Sequence, residues 1–134
     1  MKDYKKITPF FTDHRGEMSY IIDGEAEINS ILFITCNKGA IRANHYHKKS
    51  SHYSYLIKGS MEYSWYDVGV TLPVSRQEGK KIKKIIVKAG DLIFTPPMVA
   101  HAMRFLEDSS FLTFDTKQRG KGKYEGDLIR VKVI

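Results

Sequence analysis

The sequence predicts an all-β fold, a sandwich or a barrel. Apolar residues recur in short β-branched and aromatic runs, broken every eight to twelve residues by Gly, Pro, Asn, Asp or Ser. No window of helical length carries an apolar stripe with a 3.6-residue period. The breaks also have turn chemistry: "NKG" at Asn37–Gly39, "KGS" at Lys58–Ser60 and "AGD" at Ala89–Asp91 each set a glycine where the backbone can need positive φ. At 134 residues and 42% apolar content, residues 1–134 form one domain with one core, large enough to hold a buried site without disulfides.

Taken in order, the first expected strand is Met18–Ile22. Ile28–Cys36 runs into the first glycine turn and Ile41–His47 leaves it. His52–Lys58 and Met61–Tyr66 flank the second turn, and Ile82–Val87 and Leu92–Thr95 flank the third. The stretch "TPPMVA" follows, in which two prolines fix φ and withhold amide protons, so a rigid turn should deliver His101–Phe105 at a set angle. Phe111–Phe114 and Leu128–Val133 complete the set. Between them, Asp67–Lys81 reads as an irregular loop, and the polar, glycine-rich Lys117–Asp127 as a surface crossing.

Composition narrows the function classes. Cys36 is the single cysteine, so an intrachain disulfide framework is excluded and no CxxC pair offers thiolates; a metal would need nitrogen or oxygen ligands. The amino-terminal "MKDYKKITPFF" lacks an apolar run of signal-peptide length, and nowhere are there the roughly 18 consecutive apolar residues of a membrane span. The expectation is a cytoplasmic protein with no membrane partner. The net charge of +7 comes largely from Lys80, Lys81, Lys83, Lys84, Arg119, Lys121 and Lys123. No helix concentrates it and no nucleic-acid motif accompanies it, so it reads as solvated surface whose field draws in an anionic small molecule such as a phosphorylated sugar.

Three of the five histidines fall within eight residues of "NHYHKKSSHY". Residues two apart on a strand share a face, so His45 and His47 project together. His52 follows the polar "KKSS", long enough to turn the chain and bring a third imidazole toward the first two. His101 shares strand parity with Met103 and Phe105, an apolar inward set. Four imidazoles in a barrel suit zinc, nickel, iron, manganese or copper, and equally suit catalytic bases or hydrogen-bonded core histidines; spacing alone does not choose.

Read with its glycines, the stretch Gly39, "AIRAN", His45, Tyr46, His47, "KKSS", His52, "YSYLIK", Gly59 resembles the first motif of the cupin superfamily, G-x5-H-x-H-x4-E-x6-G, with His52 in place of glutamate. Gly90, "DLIFT", Pro96, Pro97, Met98, "VA", His101, "AMR", Phe105 resembles the second, G-x5-P-x-G-x2-H-x3-N, with Met98 for glycine and Phe105 for asparagine. The resemblance implies a single cupin domain, a double-stranded β-helix or jelly-roll barrel. It also implies that His45, His47, His52 and His101 stand at the metal-ligand positions, with a divalent transition metal (Zn, Ni, Fe or Mn) as cofactor. Because His52 supplies a neutral ring where a carboxylate is usual, such a centre would carry more positive charge and favour an anionic or enolate-forming substrate.

A narrower similarity is to cupins that epimerise or isomerise nucleotide-linked keto sugars, where "D-x-R-G" and "R-x-x-H-x-H" stretches recur; here Asp13, Arg15, Gly16, Arg42, His45 and His47 carry it. The implied function is a sugar isomerase or epimerase of surface-polysaccharide metabolism. Such chemistry moves a proton beside a carbonyl and needs a base and an enolate stabiliser. His45 or His47 is the base if no metal binds them; if one does, a tyrosine must serve, with Tyr53, Tyr55 and Tyr63 available and Tyr55 the choice. Arg42, Arg15 and Tyr53 are the expected substrate-binding residues, although Arg42, three before His45, falls on the opposite strand parity. The alternatives are a metal-dependent dioxygenase with all-histidine coordination and a non-catalytic small-ligand binder. Tyr63 and Trp65 share one face of their strand, which suggests an aromatic interface and a homodimer, with core packing the equal alternative for Trp65.

Overall fold

In the computed structural model, which describes residues 4–68, 82–117 and 126–134, the chain forms strands and, among those residues, no helix. The turn glycines Gly39, Gly59 and Gly90 all take the left-handed conformation, at φ 87°, 93° and 93°. They separate successive strands as their spacing required.

The strands are β1 (Tyr4–Lys6), β2 (Phe11–Asp13), β3 (Gly16–Met18), β4 (Ser30–Cys36), β5 (Ile41–His47), β6 (His52–Lys58), β7 (Ser60–Asp67), β8 (Lys83–Lys88), β9 (Asp91–Thr95), β10 (Val99–Phe105), β11 (Ser109–Asp115) and β12 (Leu128–Arg130). One five-stranded sheet runs β1-β9-β6-β11-β4, a second runs β12-β5-β10-β7-β8, and β2 and β3 form a separate ribbon. All pairs are antiparallel. The interleaving of the two sheets is the jelly roll: the chain crosses from one to the other after β4, β5, β6, β8, β9, β10 and β11.

Most expected strands are present within a residue or two. Met18–Ile22 is a correction: the strand there is β3, ending at Met18, because the "DHRG" turn closes a short ribbon and Ser19 onward leaves it. Tyr4–Lys6 and Phe11–Asp13 were not anticipated; three-residue strands offer almost no alternation to read. The last strand stops at Arg130 rather than Val133, since Asn44 captures the amides of Val133 and Ile134 through its side-chain oxygen at 2.8 and 3.1 Å. Most of the two long loops, residues 69–81 and 118–125, lies outside the described residues.

The core sits between the inner faces of the sheets. Leu56, Met61, Tyr63, Val87, Ile93, Phe105 and Phe111 are buried almost completely, and the rings of Phe105 and Phe111 stack across the two sheets at 5.6 Å. Each such side chain contributes roughly 1.5–3 kcal/mol by leaving water. Trp65 is 8% exposed and Tyr63 fully buried, so of the two readings core packing is the one seen: their shared face is the inward one, and both belong to the core.

Candidate active site

At one end of the sandwich the apolar filling gives way to a cavity of about 140 Å3, lined by His45, His47, His52, His101, Arg42, Ser54, Thr95, Thr113 and apolar neighbours. All four histidines expected at a common point are there. His45 and His47 come from β5, His101 from β10 directly opposite His45, and His52 from β6 in the other sheet. Ring centroids lie 4.8 Å apart for His45–His47 and for His45–His101, 4.0 Å for His47–His52 and 6.4 Å for His47–His101.

Arg42 lines the same cavity, against the strand parity assigned to it. The reason is a bulge: Ala43 and Asn44 have φ of 71° and 54°, and the β5–β10 register skips Asn44, pairing Ala43 with Ala102 and Arg42 with the inward-facing Met103. One inserted residue turns Arg42 inward. Its guanidinium donates from Nε to Cys36 Sγ at 2.9 Å and from Nη2 to the Thr35 carbonyl at 3.2 Å, which fixes a positive charge beside the histidines.

The Nδ1 atoms of His47, His52 and His101 have partners. His47 Nδ1 lies 3.4 Å from Asp127 Oδ2, and both side chains are buried. Asp127 is itself held by the Lys49 amide at 2.8 Å, the Ser50 amide at 3.1 Å and the Ser50 hydroxyl. His52 Nδ1 meets Asp115 Oδ1, while Thr113 Oγ1 donates to the other Asp115 oxygen at 3.3 Å. His101 Nδ1 donates to the Val99 carbonyl at 3.0 Å, which leaves its neutral ring with the lone pair on Nε2. Two histidine–carboxylate pairs thus face each other across the sheets.

Burial, with the neighbouring imidazoles adding to it, pushes His45 down to about 2 and His47 to about 3, although Asp127 pulls His47 upward. Burial brings His101 to about 4 against the opposing hydrogen bond to Val99. Asp127 stays ionised: burial raises it, but the hydrogen bonds from Ser50 and Lys49 outweigh that and hold it at about 2. His45, His47 and His101 therefore rest neutral at physiological pH.

The remaining expected residues lie elsewhere. With His52 and Ser54 lining the cavity, Tyr53 and Tyr55 take the opposite face of β6, and neither lines it; Tyr53 packs on Phe94 at 4.8 Å between centroids. By that alternation Tyr55, expected in catalysis, and Tyr53, expected in binding, stand outside the cavity lining. Arg15 sits in the β2–β3 turn, where its amide and its guanidinium both donate to Asp13, at 2.9 and 2.7 Å, and it does not line the cavity. Tyr63 is nearer, its ring 5.8 Å from His101 and its hydroxyl 2.7 Å from Thr95 Oγ1.

Asp115 and Asp127 were missed. Asp115 was legible, being in step with Phe111 and Thr113 on an alternating strand; Asp127 was not, because only the pairing of Leu128 with His47 brings it in. Four nitrogen donors suit the metals implied by the resemblance. As placed, no three His, Cys, Asp or Glu side chains among the described residues form a group that could hold a metal ion, and no step below passes through one.

A cupin-domain family model, Cupin_2, matches residues 32–116, and the chain belongs to that family. Its fold is shared with solved sugar-modifying cupins. The sugar 3,4-ketoisomerase QdtA from Thermoanaerobacterium thermosaccharolyticum, in complex with TDP, superposes with a TM-score of 0.72 at 20% identity, over 95% of this chain and 85% of that one. A 3,4-ketoisomerase from Helicobacter canadensis gives 0.71 at 21% identity, over 96% and 90%. The dTDP-4-dehydrorhamnose 3,5-epimerase from Sulfolobus tokodaii gives 0.71 at 21%, over 93% and 73%. No curated protein matches.

Proposed function

We propose that the chain is an isomerase or epimerase of a nucleotide-linked keto sugar. The observation that carries this is the buried His47–Asp127 pair opening onto a cavity that also holds Arg42 and three further imidazoles. Neutral His47 accepts the proton from the carbon beside the substrate carbonyl, and the Asp127 carboxylate stabilises the imidazolium that forms. The electron pair of the broken C–H bond moves to the carbonyl oxygen, giving an enolate. Arg42 supplies the positive charge that an enolate or a diphosphate needs. His52, oriented by Asp115 and 4.0 Å from the His47 ring, delivers a proton drawn from solvent to the neighbouring carbon or to the other face, and His47 releases its own proton to solvent, which restores both rings.

The solved cupins named above support this substrate class by fold, QdtA having been solved in complex with TDP and, as a mutant, with TDP-4-keto-6-deoxyglucose. A homodimer belongs to the same reading, though Tyr63 and Trp65 do not make it. The deciding experiment incubates the protein in deuterium oxide with a panel of nucleotide-linked 4-keto sugars. Deuterium appearing beside the carbonyl is the expected result, and no exchange across the panel would overturn the proposal.

A second reading, a metal-dependent enzyme including the dioxygenase, is favoured by one observation: acceptors at three Nδ1 atoms direct the Nε2 sides of those rings away from the carboxylates, as a metal ligand requires. Elemental analysis of untagged protein separates the two. Stoichiometric iron with oxygen consumption selects the dioxygenase.

A further inference from the structure

The two walls of the cavity have unlike chemistry. The second sheet lines it with the rings of His45, His47 and His101, the first with the hydroxyls of Ser54, Thr95 and Thr113 beside His52. Strand register sets these hydroxyls in rows. Asp115, His52 and Thr95 stand side by side across β11, β6 and β9. Two residues further along, Thr113 and Ser54 are partners. In the row after that Phe111 faces Leu56, and the apolar core begins.

The three hydroxyls are out of solvent, with Ser54 3%, Thr95 2% and Thr113 5% exposed. A buried hydroxyl without a partner costs stability, so each must be accounted for. Thr113 donates to Asp115 Oδ2 at 3.3 Å, which commits its only proton and leaves it lone pairs alone to offer the cavity. The Tyr63 hydroxyl lies 2.7 Å from Thr95 Oγ1. A phenol is the more acidic of the two, so Tyr63 donates and the Thr95 proton is free to turn inward. Ser54 Oγ makes no hydrogen bond among the described residues and lines the cavity. Packing does not explain it, since alanine would fill the position and strand no hydroxyl.

The wall therefore presents an acceptor at Thr113, a donor at Thr95 and a hydroxyl of either sense at Ser54. Two adjacent sugar hydroxyls, each both donor and acceptor, satisfy that pattern; a carbonyl or a methylene cannot donate to Thr113. The cavity, at about 140 Å3, is well below the roughly 300–1,000 Å3 of pockets that enclose whole ligands. A single ring fills it, held between hydroxyls on one side and imidazoles on the other.

We infer that Ser54 and Thr113, with Thr95, are the specificity-determining residues of the cavity, and that they select a sugar ring with two adjacent free hydroxyls. This rests on the nucleotide-sugar reading above and adds which feature of the sugar is read, and by which side chains.

Calorimetric titration of the full chain with TDP, TDP-glucose, TDP-2-deoxyglucose and TDP-3-deoxyglucose tests it; none of these carries the carbonyl needed for reaction. The wild type should bind TDP-glucose at least about 10-fold more tightly than the weaker deoxy analogue. That ratio should fall to within about 2-fold in Ser54→Ala, in Thr113→Val or in both, according to which hydroxyl each side chain reads, with affinity for TDP alone unchanged. Thr113→Ser, which keeps the hydroxyl, should keep the ratio. Equal wild-type affinity for the three sugars, or a ratio that survives in both variants, overturns the inference and leaves the nucleotide-sugar reading standing. Failure of TDP and of all three sugars to bind overturns both. The wild-type comparison decides even where a variant fails to fold.

Discussion

His47 Nδ1 lies 3.4 Å from Asp127 Oδ2, and the two residues are 80 positions apart in a chain that joins them by pairing β12 with β5. Since Ser50 and Lys49 occupy the carboxylate with three hydrogen bonds, Asp127 is positioned before substrate arrives. Asp127→Asn keeps the shape and removes the charge that stabilises the imidazolium. Turnover should fall by about 100-fold or more with KM little changed. Steady-state kinetics on the sugar identified by deuterium exchange checks it.

In the proposed reaction the two histidine–carboxylate pairs divide the proton transfers. His47→Asn should abolish solvent exchange beside the carbonyl. His52→Asn should leave that first exchange running and suppress net conversion by about 100-fold. Proton NMR in deuterium oxide reads both quantities at once, and identical losses in the two variants would contradict the division.

Acid stability follows from His45, His47 and His101, whose folded values of about 2, 3 and 4 lie below the ordinary 6.5. The unfolded chain binds protons that the folded one refuses, so stability is full above about pH 6.5 and declines as pH falls below it. Between pH 6.5 and 5 the loss should reach about 2–4 kcal/mol, each group contributing up to about 1.4 kcal/mol per pH unit. Urea titrations across that range measure it, and a flat profile would mean that the rings are not buried neutral.

The bulge that turns Arg42 inward stores strain. Ala43 at φ 71° occupies a conformation that costs a residue bearing Cβ about 1–2 kcal/mol, so Ala43→Gly should be neutral to stabilising, by about 1 kcal/mol at most. Asn44→Ala should cost about 2 kcal/mol, since it loses the hydrogen bonds that hold Val133 and Ile134. Thermal unfolding of the pair reads the contrast in sign.

Gly59 has no such latitude. It combines φ 93° with a neighbourhood in which an added Cβ would approach the Asp108 carbonyl to 2.8 Å and run into Ser109. Gly59→Ala should destabilise by about 2–3 kcal/mol, through strain and overpacking together. Chemical denaturation of purified protein checks it.

The four histidines could be found in the sequence because strand parity and the paired motifs fix them together. Asp115 could be found the same way, in step with Phe111 and Thr113. The parity of β6 likewise sets Tyr53 and Tyr55 on the face opposite His52. Arg42 is different in kind. Its inward turn depends on left-handed backbone at Ala43 and Asn44, and an alanine there gives no sign of it. Asp127 depends on a strand pairing across most of the chain, which no local pattern encodes.

The cavity straddles the seam between the sheets: His52 and Asp115 come from one, His45, His47 and His101 from the other. The gap between the two proton-handling pairs is thus a gauge of how far apart the jaws of the sandwich stand, and the stacked Phe105 and Phe111 act as the shim that sets it. A protein built this way can retune its chemistry without touching a single polar residue, by changing the thickness of its own filling.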